Sequence, residues 1–124
     1  MFRLRKIHAA VLAAALVAAS AATSPAAQPL APTQVMATTI CTPSNVAEFG
    51  NRVHVHCTTA VSGISYFAVA TSNANRAAHA LSLFSIALAS GRDLRIYYDP
   101  ANTGGTAVGC LAADCRLADG VELL

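Results

Sequence analysis

The chain has 124 residues, is 55% hydrophobic and carries a formal charge of +2. Three of its eight basic residues, Arg3, Arg5 and Lys6, precede an uncharged apolar run, Ala9 to Ala19. From residue 23 onward five arginines face six acids, a net charge of −1, so the basic balance of the whole chain is no evidence for nucleic acid or an anionic membrane as a partner.

The front of the chain has the basic start, short apolar run and small residues (Ala19-Ser20-Ala21-Ala22) of a secretory signal peptide. The run is too short to cross a bilayer, which takes about 20 residues. Residues 1–22 are therefore expected to be a signal peptide. Residues 23–36, TSPAAQPLAPTQVM, hold three prolines and no charge and are expected to be a spacer. Residues 37–124 remain as a single domain, with no membrane span in the mature protein. A core of that size is marginal without staples. Cys41, Cys57, Cys110 and Cys115 supply them in an oxidising compartment, secreted or periplasmic. Three pairings are possible. Cys41–Cys57 with Cys110–Cys115 is preferred, because the first joins two early strands and the second closes a small loop. The C-x4-C spacing is not that of a usual zinc knuckle.

In chain order, Ala37 to Cys41 is predicted as a strand and Thr42-Pro43-Ser44-Asn45 as a turn. Arg52 to Thr58 alternates, with Val53, Val55 and Cys57 on one face and Arg52, His54 and His56 on the other. Ile64 to Thr71 is rich in β-branched and aromatic residues and is predicted as a strand buried on nearly both sides. The one long helix runs from Asn73 to Gly91, with Asn73 or Asn75 as its cap and Gly91 as its left-handed stop. Ala77, Leu81, Phe84 and Leu88 are expected to face a sheet. Arg76, His79, Ser82, Leu83, Ile86 and Ser90 are expected to face away, and His79, Leu83 and Ile86 are the candidate oligomer contacts. Asp93 to Tyr98 alternates again, Asp99 to Gly105 is turn chemistry, Thr106 to Leu111 is a further candidate strand, and Arg116 to Leu124 closes the chain with Gly120 as a bulge or break.

The fold class expected is α+β. One helix accompanies a small antiparallel β-barrel or strongly curved sheet in the order β-β-β-α-β-β, like an OB-fold and stapled by disulfides.

Chemistry is sparse. His54 and His56 share a strand face and with His79 include the residue type of a metal site, but no carboxylate lies at ligand spacing nearby. No G-x-S-x-G surrounds any serine. The cysteines are committed to bridges, and the acids from Asp114 to Glu122 suit a solvated hairpin better than a glycosidase pair. No enzyme, metal or cofactor is expected. Tyr66 and Phe67 point oppositely along their strand, as do Tyr97 and Tyr98, so one of each pair is core and the other surface. An exposed tyrosine suits a sugar or a protein. Tyr66 and Tyr97, with Asn102 and Thr103 of the small polar loop, are the candidate ligand contacts.

RVHVHC, ISYFAVAT, the helix, SGRDLRIYYDP and the closing GC and DCR together resemble the B subunits of bacterial AB5 toxins in element order and size. The string of GC, four residues and DCR is also similar to small secreted proteins of Gram-negative bacteria. The toxin resemblance implies an OB-fold, a ring-shaped homo-oligomer and binding of a glycan on a host surface. It carries no individual binding residue across. The function expected is a secreted, non-catalytic module that recognises a glycan or a protein surface. The alternative is a monomeric structural or inhibitory protein of the envelope.

Overall fold

The first strand of the computed structural model changes direction once, and that bend organises the rest. The structure describes residues 34–124, which lie in one compact unit, Pro32–Leu124. The expected signal peptide and nearly all of the spacer lie outside the described residues. β1 (Ala37–Cys41) and β2 (Pro43–Phe49) are separated by Thr42 alone. β3 (Arg52–Val61) and β4 (Ile64–Ala70) follow, then α1 (Ala74–Ser90), β5 (Leu94–Tyr98), a 3-10 helix (Gly104–Val108) and β6 (Cys115–Leu123). The strand order in the sheet is β1-β5-β6-β4-β3-β2. The sheet's two outer strands are thus consecutive in the chain, so it must curl into a half-barrel for a single residue to join them. The domain is α+β and OB-fold-like, as its element pattern implies.

One staple acts where the curl closes. Cys41 and Cys57 are bonded, with Cα atoms 5.1 Å apart. The Thr58 amide donates to the Thr42 carbonyl at 2.9 Å, and the Thr42 hydroxyl donates to Asp93 Oδ1 at 2.6 Å. The second bridge joins Cys110 to Cys115. Both are the preferred pairings.

The alternation in β3 and β5 sends Val53, Val55, Leu94 and Ile96 inward. There they meet Phe67 and Tyr98, whose rings make an edge contact at 5.0 Å and 64°. Each of the largest buried side chains contributes about 1.5–3 kcal/mol of hydrophobic stabilisation. Tyr66 and Tyr97 stay only partly buried, while their neighbours Phe67 and Tyr98 are buried, as alternation along a strand requires.

α1 is capped by Asn73, whose side chain accepts from the Arg76 amide at 3.1 Å, and it stops at Gly91 in the left-handed region. Its packed face differs from the expected one. Ala77, Ala80, Phe84 and Ala87 are buried, Leu81 is partly buried and Leu88 is 41% exposed. The alanines at 80 and 87 let the helix axis approach the barrel more closely than leucines would. The seam therefore rotates onto them and leaves Leu88 in the last turn outside. The same rotation draws Leu83 into contact with the core, away from the outward face assigned to it. Ile86 remains outward and 49% exposed.

Three further expectations are corrected. Pro43, Ser44 and Asn45 are not a turn but the start of β2, an edge strand on whose first residue a proline is tolerated. Thr106 to Leu111 is not a strand. The glycine-rich segment coils into a 3-10 helix held close by the Cys110–Cys115 bridge. The sheet is mixed, because β4 and β6 pair in parallel over Tyr66–Ala68 and Cys115–Leu117. The long excursion through α1 and β5 returns the chain in the same direction, which a tight hairpin cannot do. Near Gly120 the register shifts: Gly120 faces Tyr97 and Ala118 faces Tyr98, leaving Asp119 as the extra residue of a bulge.

Replacing Cys41 and Cys57 together by alanine is expected to cost roughly 3 kcal/mol, and replacing Cys110 and Cys115 roughly 2 kcal/mol, by loop-closure entropy. Urea unfolding of the two variants tests this ranking, which is reversed if the short loop carries the larger share.

Candidate functional site

Outward-facing residues of β2, β3 and β4 form a continuous strip. Pairing sets Asn45 against His56, Ala47 against His54 and Phe49 against Arg52, then His54 against Ala68 and His56 against Tyr66. Ring contacts run along this face. Phe49 meets His54 at 5.2 Å, His54 meets Tyr66 at 5.3 Å, and Tyr66 meets His56 at 4.4 Å. The Arg52 guanidinium lies 4.3 Å above the Phe49 ring centre, a cation–π arrangement. The Ser44 hydroxyl lies 2.6 Å from His56 Nδ1.

The segment between β5 and β6 folds over part of this face. Cys110, Cys115 and Ala68 form a second, small buried cluster on the outside of the barrel, with Tyr66 and Leu117 against it. Ala68 is outward-facing by register yet completely buried, because the bridged loop covers it. Asp114 anchors the loop: its backbone carbonyl accepts from the amides of Ser65 at 2.9 Å and Tyr66 at 3.0 Å. Arg116 gathers the loop from below, donating to the carbonyls of Pro100 at 2.7 Å and Ala112 at 2.6 Å.

Where the covered and open parts of the face meet, a cleft of about 230 Å³ opens. Arg52, His54 and Tyr66 come from β3 and β4, Gly109, Leu111 and Asp114 from the loop, and Cys115 from the start of β6. Leu111 stands at the rim, 67% exposed. Arg52 is held in place by Nη1, which donates to the Val108 carbonyl at 2.7 Å. Its Nε is buried without a hydrogen-bond partner, and among the described residues the one ion pair is Arg95 with Glu122, on β5 and β6. His54 has its pKa pulled below the ordinary 6.5, first by burial, then by the positive charges of Arg52 and His56.

Of the four candidate ligand contacts, the structure brings only Tyr66 to this cleft. Tyr97 lies on the outer face of β5 beside Gly120 and donates to Glu122 Oε2 at 3.2 Å. The Asn102 side chain accepts from the Gly104 amide at 2.8 Å and so shapes the turn, with exposed Thr103 beside it. His79 and Leu83 line a separate groove of about 150 Å³ between α1 and β6, together with Val69, Arg76 and Val121. Among the described residues no three groups of metal-ligating type gather; His79 is on the helix, apart from the β3 histidines. No helix among them is long and apolar enough to cross a membrane.

The alternation of β3 places Arg52 and His54 on an outward face but does not connect them to Leu111 and Asp114. The signal that could have found the cleft is the bridged loop itself, whose short closure forces its residues back onto the sheet. Compared with known proteins, the chain matches no family model, no curated protein and no solved structure.

Gly109 has φ +82°, and a Cβ there would stand 2.5 Å from Arg52 Nη1. Gly109→Ala is expected to lose about 1–3 kcal/mol of stability from backbone strain and to move Arg52. Gly50→Ala, with open space around it, serves as the control in the same denaturation series.

The depressed pKa of His54 means that the unfolded chain binds this proton more readily than the folded one. Its contribution is complete above pH 6.5 and is lost as pH falls through the lower folded value. His54→Gln is expected to flatten the stability profile between pH 7 and 5, read from urea midpoints. An unchanged slope would remove His54 as its cause.

Proposed function

We propose that the protein is a secreted, non-catalytic binding module that recognises a glycan or a protein surface through the outer face of β2, β3 and β4. The observation that carries this reading is the cleft between that face and the Cys110–Cys115 loop. A partly buried arginine, a histidine and a tyrosine there converge beneath an exposed leucine. Flat rings at ligand height, with a few fixed polar groups, are what a sugar ring or a protein side chain needs for contact and orientation. In OB-folds this strand face and the loop between the last two strands are where oligosaccharides and oligonucleotides bind. The charge of −1 from residue 23 onward gives no electrostatic reason to favour a polyanion such as nucleic acid.

Secretion is part of the proposal. Two disulfides fit an extracellular or periplasmic setting, and the basic-then-apolar start of the chain fits an export signal. The likeness to AB5 toxin B subunits belongs to the same reading, supported by the order of strands and helix. A homo-oligomer is its partner arrangement, supported by the apolar side chains Ile86 and Leu88 left outside on α1. The monomeric envelope protein remains the alternative.

The test is a glycan and protein panel probed with the protein and with Leu111→Asp. This change at an exposed rim position leaves the fold intact but places a charge at the mouth of the cleft. Binding that is saturable in the parent and falls at least about tenfold in the variant, the scale of a lost apolar anchor plus an unpaired charge, is expected. Light scattering on the same samples reports mass: a multiple of the monomer supports the ring, and a monomer supports the envelope alternative. Binding indifferent to Leu111→Asp would sink the cleft as the site.

A further inference from the structure

The cleft contains one charge that the protein leaves unanswered. Both hydrogen bonds of the Arg52 guanidinium, to Val108 and Asn51, use Nη1. Nε has no partner, although it is buried. Among the described residues no carboxylate comes within ion-pair distance of Arg52. Leaving a buried donor of a charged group unpaired is costly, and a guanidinium held by a backbone carbonyl on one side and an aromatic ring beneath is already oriented. The chain has spent its fixing contacts on presenting this group, not on neutralising it.

We infer that the cleft receives a ligand whose carboxylate accepts hydrogen bonds from Arg52, with the group that bears the carboxylate lying between Tyr66 and Leu111. This rests on the reading of the cleft as the binding site and names the chemistry it takes. A guanidinium is a planar donor fork that matches a carboxylate. Phosphate shares that match but brings about −1.5 to −2 charges, and the cleft offers one permanent cation with Asp114 on the facing wall. A single negative charge suits that balance and a dianion does not. His54 is held toward its neutral form by burial and by its cationic neighbours. At neutral pH it therefore adds a hydrogen-bonding ring and not a second cation. Tyr66 supplies a flat wall, and Leu111, being exposed, has apolar surface to give up on contact.

Two sources share this chemistry, a uronic acid and the free C-terminus of a peptide. Matched acid and neutral probes separate them: galacturonate against galactose, and N-acetyl-leucine against its amide. Each is titrated into the isotopically labelled protein while amide signals of Arg52, His54, Leu111 and Asp114 are followed. In at least one pair the acid is expected to bind about tenfold more tightly than its neutral twin, the scale of a hydrogen bond to a charged group. The pair that shows the preference identifies the source. Arg52→Gln is expected to abolish the preference. Because that variant removes a contact to the loop, Asp114→Asn is the second arm. It keeps the backbone bonds to Ser65 and Tyr66, lowers the negative charge opposite the ligand, and is expected to tighten acid binding on the order of threefold at low salt.

Neutral twins that shift the cleft signals as strongly as the acids would overturn the carboxylate assignment and leave the cleft as a binding site. An acid preference that survives Arg52→Gln would overturn it as well. Acids and neutral probes that all leave the cleft signals unmoved would overturn both this inference and the cleft site itself for sugars and peptide ends.

Discussion

One residue, Thr42, joins the two outermost strands of a six-stranded sheet. That covalent constraint makes the sheet curl, because strands at opposite ends of a flat sheet would lie several strand spacings apart, at about 4.8 Å each. The Cys41–Cys57 bridge and the bonds from Thr42 to Thr58 and Asp93 hold the bend where it forms. Inside the curl lies the main core of Val53, Val55, Phe67, Leu94 and Ile96, sealed by Phe84 of the helix. A domain this small has little apolar area to spare, so the staple at the bend and the close approach of the alanine-rich helix face serve the same end. One limits the unfolded chain and the other draws the layers together.

The second bridge acts on the opposite side of the same strands. It closes a loop too short to leave the surface, and the loop packs Cys110 onto Cys115 and Ala68 outside the barrel. The result is a raised wall along an otherwise open sheet face. The aromatic strip from Phe49 to His56 runs up to that wall, and the cleft is the step between the two. Arg52 spans the step. Its stem rises from β3, its ion sits above Phe49, and its Nη1 holds the Val108 carbonyl. The side chain that lines the cleft therefore also ties the loop to the sheet.

Much of the fold was legible in local patterns. The alternation of β3 and β5 and the division of Tyr66 and Phe67 between surface and core follow from a period of two, and the Asn73 cap and Gly91 stop of α1 from local capping chemistry. Patterns failed where no period exists. Pro43 reads as a turn residue because the preference is local, whereas its place on an edge strand depends on which strand pairs beside it. The packed face of α1 was misplaced for a related reason. Leucines outrank alanines in any count of apolar residues, yet close packing against a curved sheet selects Ala80 and Ala87. Local patterns do not join the walls of the cleft, since Arg52 and Leu111 lie almost sixty residues apart; the bridged loop alone hints at it.

The order of residues alone pointed to the preferred cysteine pairs, the long helix, the strand faces and the charge of −1 from residue 23 onward. These depend on neighbours within a turn, on alternation, or on composition. Only the tertiary structure decided that β4 and β6 run in parallel, that Leu88 lies outside and Leu83 against the core, and that Tyr66 joins Arg52 while Tyr97 does not. Those outcomes hang on how the ends of the sheet meet. That meeting is a long-range pairing, paid for by closure of a curved core, and no local stretch of the chain carries its energy.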